Sequence, residues 1–299
     1  MDRLAAMRAF TEIVDRGSLT AAAVALGRSQ PAIVRTLAAL EEHLGTMLLR
    51  RTTRRMSLTP EGRDYLDRCR RILADVEDAE RAAGQEEGEP RGDLRMTAPV
   101  QFGQLHIAPI LAGFLRRYEQ VRVDLILLDR NVDLVEEGID LALRIGQLAD
   151  SSMIAVRLGE VRRVVCASAA LIDEVGIPER PQALKGLPCI RQQNLSQGIA
   201  WPFREGARDI VIPVGGRFGC NQIATSIAAC DDGVGFGQYL SYQVQRLVSE
   251  KRLIRVLEDF EPEPWPVNLV YPGGRLVSGR QRALINWLRD ALRDSDAFQ

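Results

Sequence analysis

The stretch Gly17-Ser18-Leu19-Thr20-Ala21-Ala22-Ala23-Val24-Ala25-Leu26-Gly27-Arg28-Ser29-Gln30-Pro31-Ala32-Ile33-Val34-Arg35 reads as two helices meeting at a tight turn. Ser18 is placed to cap a short helix of small residues. Gly27 supplies the left-handed turn after it. Ser29 is the next N-cap, and Pro31 falls in a first turn, where a missing N–H costs little. Ile33, Leu37, Leu40 and Leu44 then form the apolar stripe of a third helix. Upstream, Leu4, Met7, Phe10 and Val14 recur at helical spacing until Gly17. Small residues in the second helix let the third cross it closely, as a helix-turn-helix requires. Ser29, Gln30, Pro31, Ala32, Val34 and Arg35 then lie at the exposed N-terminal end of the third helix, where such folds present side chains to a DNA major groove.

Downstream, Leu48-Leu49-Arg50-Arg51-Thr52-Thr53-Arg54-Arg55-Met56-Ser57-Leu58-Thr59 predicts two short extended pieces around a basic tip. This is a β-wing with Arg50, Arg51 and Arg54 placed to grip phosphates; the bland alternative is a solvated loop. Charge supports the first reading. Residues 1–60 carry nine arginines against five acids, whereas residues 61–92 carry six against ten. A basic block at one end is the footprint of a phosphate-backbone binder. Thr59 and Pro60 open a long helix in which Tyr65, Cys69, Ile72, Val76, Ala79 and Ala83 form a narrow seam between charged flanks. Such a seam buries against a partner helix or against its own domain. Gln85–Gly92 is polar, holds Gly and Pro, and marks a hinge.

Composition narrows the remaining classes. The chain has 299 residues, 46% hydrophobic and 26% charged, an ordinary globular balance with room for two or three domains. No apolar run approaches the ~20 residues of a membrane span, and the N-terminus lacks a signal-peptide pattern, so a cytoplasmic location is expected. Five cysteines without a CxxC pair argue against a disulfide framework or zinc site, and His43 and His106 are the only histidines. No metal and no cofactor are implied. Among 39 basic residues only Lys185 and Lys251 are lysines, a bias that genome composition explains as well as phosphate binding. Cys220 and Cys230, ten residues apart, lack basic neighbours that would activate a thiol. Gly233-Val234-Gly235-Phe236-Gly237 lacks GxGxxG spacing and reads as a packed strand.

From Asp93 onward strands and helices alternate, which predicts an α/β fold with a largely parallel sheet. Strands are expected at 93–98, 121–128, 141–145, 161–167, 188–191, 234–236 and 267–271. Helices are expected at 101–118, 132–137, 169–175, 221–232, 241–249 and 279–293.

Ser29-Gln30-Pro31-Ala32-Ile33, Leu40-Glu41, Leu44-Gly45, Leu48, Arg51-Thr52-Thr53-Arg54 and Leu58-Thr59-Pro60-Glu61-Gly62 together closely resemble the winged helix-turn-helix of LysR-type transcriptional regulators. Val34 stands where that family usually has serine, and Leu49 where it usually has phenylalanine. Gly92–Pro99, Val132–Gly146 and Val165–Ser168 resemble the same family's effector domain. The resemblance implies an α+β winged helix-turn-helix domain (1–59), a linker or dimerisation helix and hinge (60–91), and an α/β, periplasmic-binding-protein-like effector domain (92–299). The latter would hold two Rossmann-like subdomains, about 92–164 with 267–299, and about 165–266.

The resemblance implies a homodimer or homotetramer on double-stranded DNA, modulated by a small-molecule effector and touching RNA polymerase if it activates. It places Thr97, Gln101 and Phe102 in the effector cleft, beside Val100 at the opening of a helix. Ligands of α/β sheets lie beyond strand carboxyl ends, near helix N-termini that favour anions. That adds Arg144, Gly146, Asn221 and, on a loop, Asn194, and makes a carboxylate a reasonable effector. Capping or turn formation would explain the same residues. Two rival readings remain: an α/β enzyme using its winged helix for protein contacts, or a ligand-binding module without DNA affinity.

Overall fold

The computed structural model describes residues 1–51, 56–83, 89–148, 153–192, 200–273, 277–293 and 295–298. The chain divides into two compact units, Met1–Asp93 and Leu94–Gln299.

The first unit holds α1 (Arg3–Arg16), α2 (Leu19–Ala25), α3 (Gln30–Leu44), β1 (Leu49–Arg51), β2 (Met56–Leu58) and α4 (Pro60–Ala83). Local chemistry sets the helix junctions. Ser18 and Ser29 accept hydrogen bonds from the Ala21 and Ala32 amides, both at 3.4 Å, while Gly17 and Gly45 take the left-handed conformation after α1 and α3. Ala22 and Ala23 are buried where α2 meets its neighbours, around Phe10, Ile13, Ile33, Leu37 and Leu40. Each large side chain fully buried in this way contributes about 1.5–3 kcal/mol. In α1 the buried face is Ala6, Ala9, Phe10 and Ile13, whereas Leu4 is exposed. The early turns of α4 pack on this same core through Leu66 and Cys69, and Ile72 is left 40% exposed.

The second unit begins with β3 (Gly92–Ala98), α5 (Val100–Phe102), α6 (Ala108–Arg117), β4 (Val121–Leu127), β5 (Leu141–Ile145) and β6 (Met153–Val161). It continues through β7 (Arg163–Ser168), α7 (Ala169–Val175), β8 (Arg191–Gln192), β9 (Ala200–Glu205), β10 (Arg208–Pro213) and β11 (Gly219–Cys220). It closes with α8 (Ile223–Asp231), β12 (Gly237–Leu240), α9 (Ser241–Ser249), β13 (Leu253–Val256), β14 (Trp265–Pro272) and α10 (Gly279–Arg293). One lobe is built on a five-stranded sheet of order β4-β3-β5-β14-β6, the other on a three-stranded sheet of order β12-β7-β13. The chain leaves the first lobe at Arg162, between β6 and β7, and returns as β14.

The first sheet is mixed rather than largely parallel. β3 runs parallel to β5, but β14 arrives from the other lobe and inserts antiparallel to both β5 and β6. In the second sheet both neighbours of β7 are antiparallel. Three local readings also shift. The helix expected over 101–118 is interrupted by a wide π-turn at Gly103–Ile107. Residues 132–137 form a turn, in which Asp133 accepts the amides of Val135 and Glu136 at 2.8 and 3.0 Å. The strand expected at 234–236 starts at Gly237, with Phe236 bridging only Cys189.

Candidate nucleic-acid interface and ligand cleft

Residues at the head of α3 divide cleanly by face. Ile33, Leu37 and Leu40 are buried, Ser29, Gln30, Pro31 and Arg35 are exposed, and Ala32 and Val34 are half-buried between them. Thr36 turns its hydroxyl back onto the Ala32 carbonyl (2.9 Å). The free polar atoms of this face therefore belong to Gln30 and Arg35, with Val34 adding an apolar contact.

The strand pair beside it aligns Arg50 with Ser57 and Arg51 with Met56. Arg50 is exposed. Arg51 is described by its backbone alone, and Arg54 lies outside the described residues. Glu41 and Thr59 hold this ribbon in place, and Thr59 also caps α4 as its position in the sequence predicts. The Glu41 carboxylate on α3 accepts the amides of Leu48 and Leu49 at 2.8 and 3.1 Å. Thr59 donates its hydroxyl to the Met47 and Leu48 carbonyls (2.7 and 3.2 Å) while accepting the Gly62 amide at 2.9 Å as the cap of α4. α3, the ribbon and α4 are thus pinned by charge-assisted and buried hydrogen bonds.

In the second unit a cleft of about 290 Å³ opens where strand ends of the two lobes converge. Arg144 and Asn221 line it, together with Pro99, Asp129, Arg163, Gln192, Trp201, Tyr239 and Trp265. Asn221 precedes α8 by two residues and does not begin it. Val100 sits one residue past the lining and donates its amide to Asp129 (3.0 Å). Thr97 is fully buried, and neither its hydroxyl nor the Gln101 side-chain oxygen finds a hydrogen-bond partner among the described residues. Phe102, expected at the cleft, is in the core, 4.9 Å from the His106 ring and 5.0 Å from that of Tyr242. The π-turn begins only after Phe102, whose ring packs in the core of the first lobe. Gly146 backs the cleft wall: a Cβ there would touch the Trp265 ring at 3.7 Å. Asn194 lies outside the described residues.

Burial shifts two arginines of the cleft. Burial lowers the Arg144 pKa, opposed by Glu137 and reinforced by Arg130. Among the described residues its guanidinium donates long bonds, to the Arg130 and Val132 carbonyls at 3.4 and 3.5 Å. Arg163 is pushed down to about 10 by burial and lies over the Trp265 ring, 4.0 Å from its centroid. The opposite wall is a fixed polar network. Gln192 donates to the Gln238 carbonyl at 3.0 Å, and the Tyr239 hydroxyl donates to the Ser226 carbonyl at 2.8 Å. Cys230 is buried and pushed up to about 12, while Cys220 stands half-exposed on the cleft wall. No cluster of His, Cys, Asp and Glu able to hold a metal occurs among the described residues.

Two family descriptions match this chain: a bacterial regulatory helix-turn-helix protein of the lysR family over residues 4–63, and a LysR substrate binding domain over residues 87–293. The chain belongs to the LysR family of transcriptional regulators. The LysR assignment makes it a DNA-binding regulator with a substrate-binding domain, in a family of regulators and not enzymes. Among its relatives, an HTH-type transcriptional repressor of Pseudomonas aeruginosa (strain UCBPP-PA14) is 32% identical, covering 100% of this chain and 95% of that protein. The transcriptional activator AaeR of Escherichia coli K12 is also 32% identical, over 97% of this chain and 94% of that protein. The structure of CrgA, a LysR-type transcriptional regulator from Neisseria meningitidis, shares the fold with a TM-score of 0.63 and 29% identity, over 96% of this chain and 98% of that one.

Proposed function

We propose that this LysR-family chain acts in the cytoplasm as a homo-oligomer, dimer or tetramer, whose operator binding responds to a small carboxylate held in the cleft of the second unit. The observation that carries the reading is that cleft: it joins two lobes and presents Arg144, half-stripped of water and weakly bonded, at a strand end. Residues 1–59 read DNA, residues 60–91 link and dimerise, and residues 92–299 bind the effector. Ser29, Gln30, Pro31, Ala32, Val34 and Arg35 face the major groove, and Arg50, Arg51 and Arg54 grip flanking phosphates. Paired heads would read half-sites one helical turn (~34 Å) or multiples of it apart. Effector closure of the cleft shifts the population of oligomer arrangements that fit this spacing. Arg144, Asn221, Thr97 and Gln101 contact the effector in this scheme, and an activating complex would meet RNA polymerase.

A salt titration on DNA from upstream of the gene, against scrambled DNA of equal length, tests the DNA half of the reading. Binding confined to the native fragment and persisting at ~150 mM salt is expected. Equal binding to both fragments that vanishes as salt rises would overturn it.

A further inference from the structure

Arg163 is the first residue of β7, immediately after the crossing between lobes. Its neighbours in charge are paired with acids: Arg162 with Glu261 at 3.7 Å, Arg255 with Glu261 and Glu258 at 2.6 and 3.0 Å, and Arg130 with Glu137 at 3.0 Å. Among the described residues none accepts a hydrogen bond or ion pair from Arg163; it meets the Trp265 ring, 4.0 Å away, and the cleft. An aromatic ring engages the flat face of a guanidinium and leaves its in-plane donors for a planar acceptor such as a carboxylate. A guanidinium taken partly out of water without such an acceptor is a standing cost. Burial accordingly lowers its proton affinity, with no acid nearby to restore it.

The rest of the wall limits what the anion is attached to. Asp129, the acid of the cleft, spends an oxygen on the Val100 amide. Arg144 is engaged by two backbone carbonyls. Of the three arginines that line the cleft, Arg130 is paired with Glu137 and Arg144 keeps two long bonds to carbonyls, so Arg163, with no acceptor among the described residues, is the first seat for a single negative charge. Leu128, Ile145, Trp201, Ile223 and Leu240 make much of the remaining lining apolar. A volume of about 290 Å³ lies at the small end of the ~300–1,000 Å³ that ligand sites occupy. We propose that the cleft takes a small hydrophobic monocarboxylate, its carboxylate gripped by Arg163 against Trp265 and its apolar body laid along the aromatic and aliphatic walls. The proposal rests on the effector reading for the location of the site. It adds the ligand class and a charge receptor at the crossing itself.

The test uses the full-length protein and a panel of benzoate, phenylacetate and 4-methylpentanoate, each with its uncharged amide, followed by thermal shift and tryptophan fluorescence. At least one acid is expected to bind saturably at millimolar concentration or below, with its amide weaker by about tenfold or more. Arg163→Met should lose about tenfold or more in acid affinity while its ligand-free melting temperature stays level or rises, because the variant removes a half-buried charge that has no acceptor among the described residues and keeps an apolar contact with Trp265. Arg163→Lys should fall between the two. No binding by any acid, equal binding of acid and amide, or unchanged acid binding by Arg163→Met would each overturn the proposal. Operator binding run in parallel separates the two readings. Acid binding that leaves operator affinity unchanged supports the receptor and refutes the effector role. An operator response to an uncharged compound that Arg163→Met retains, with no acid bound, overturns the receptor and leaves the effector role standing.

Discussion

Replacing Gly62 by alanine sets two effects of opposite sign against each other. Gly62 lies in the first turn of α4, where Ala over Gly favours the helix by about 1 kcal/mol. However, a Cβ at Gly62 would overlap the Leu48 carbonyl oxygen outright and stand 2.9 Å from its carbon and 3.1 Å from its Cα. Carbon atoms settle at about 3.5–4.0 Å, so β1 and α4 must separate by about 0.6–1 Å. Overpacking of this kind costs about 1–3 kcal/mol. The same carbonyl accepts the Thr59 amide at 3.0 Å and its hydroxyl at 3.2 Å, and stretching these forfeits about another 1 kcal/mol each. The net expectation is a loss of about 2–4 kcal/mol. For a unit of this size that lowers its melting temperature by about 10 °C or more. Calorimetry of the full-length protein would follow the transition of the first unit, with DNA affinity falling because the ribbon is displaced. A melting temperature at or above wild type would refute the steric argument and leave helix propensity as the ruling term.

Arg35→Ala should weaken specific binding by ~1–3 kcal/mol and relax discrimination at one base, which an operator-selection assay reads directly; an unchanged preferred sequence would remove Arg35 from base contact. Arg50→Ala should instead weaken all sequences alike and flatten the slope of log K against log salt by about one; a slope equal to wild type would dissociate Arg50 from phosphate. Thr97→Val replaces an unpartnered buried hydroxyl with a methyl of the same shape. Ligand-free stability should hold or rise by about 1–2 kcal/mol while the effector response weakens. Destabilisation measured by urea unfolding would show that the hydroxyl is already satisfied in the folded state.

The first unit was readable because its signals are local. Ser18, Gly27, Ser29, Pro31 and Gly45 each act within a turn of where they stand, and the structure uses each at that place. The cleft depends on distant pairings. Arg163 and Trp265 are separated by most of a lobe in sequence and meet only because β14 re-enters the first sheet beside β6, with Trp265 opposite Val161. Nothing in the spacing of either residue foretells that register. Phe102 was misplaced for a subtler reason. The resemblance alone put this ring in the cleft, whereas its packing against the His106 and Tyr242 rings, a contact between distant elements, takes it into the core. The strands over 153–161 and 200–213 were missed because Arg157, Gly159 and Glu160 break the first, and the second is a hairpin turning at Gly206.

The two crossings between lobes are not independent tethers. β6 ends at Val161 directly against Trp265 at the head of β14, so the outgoing and returning chains are bonded side by side as they pass. Arg162 is clasped as well: its carbonyl accepts the Ser241 amide at 2.8 Å, and its own amide donates to the Ser241 hydroxyl at 3.3 Å. Mechanically this is a flat leaf spring. A paired ribbon flexes easily across its thin dimension and resists both shear in its plane and torsion that would rip the ladder. Under the proposed effector reading, this would leave the lobes one soft coordinate, the opening angle, through which an occupant of the cleft is reported. Side chains facing the cavity can then be exchanged for a different chemical taste while the paired ribbon stays the same.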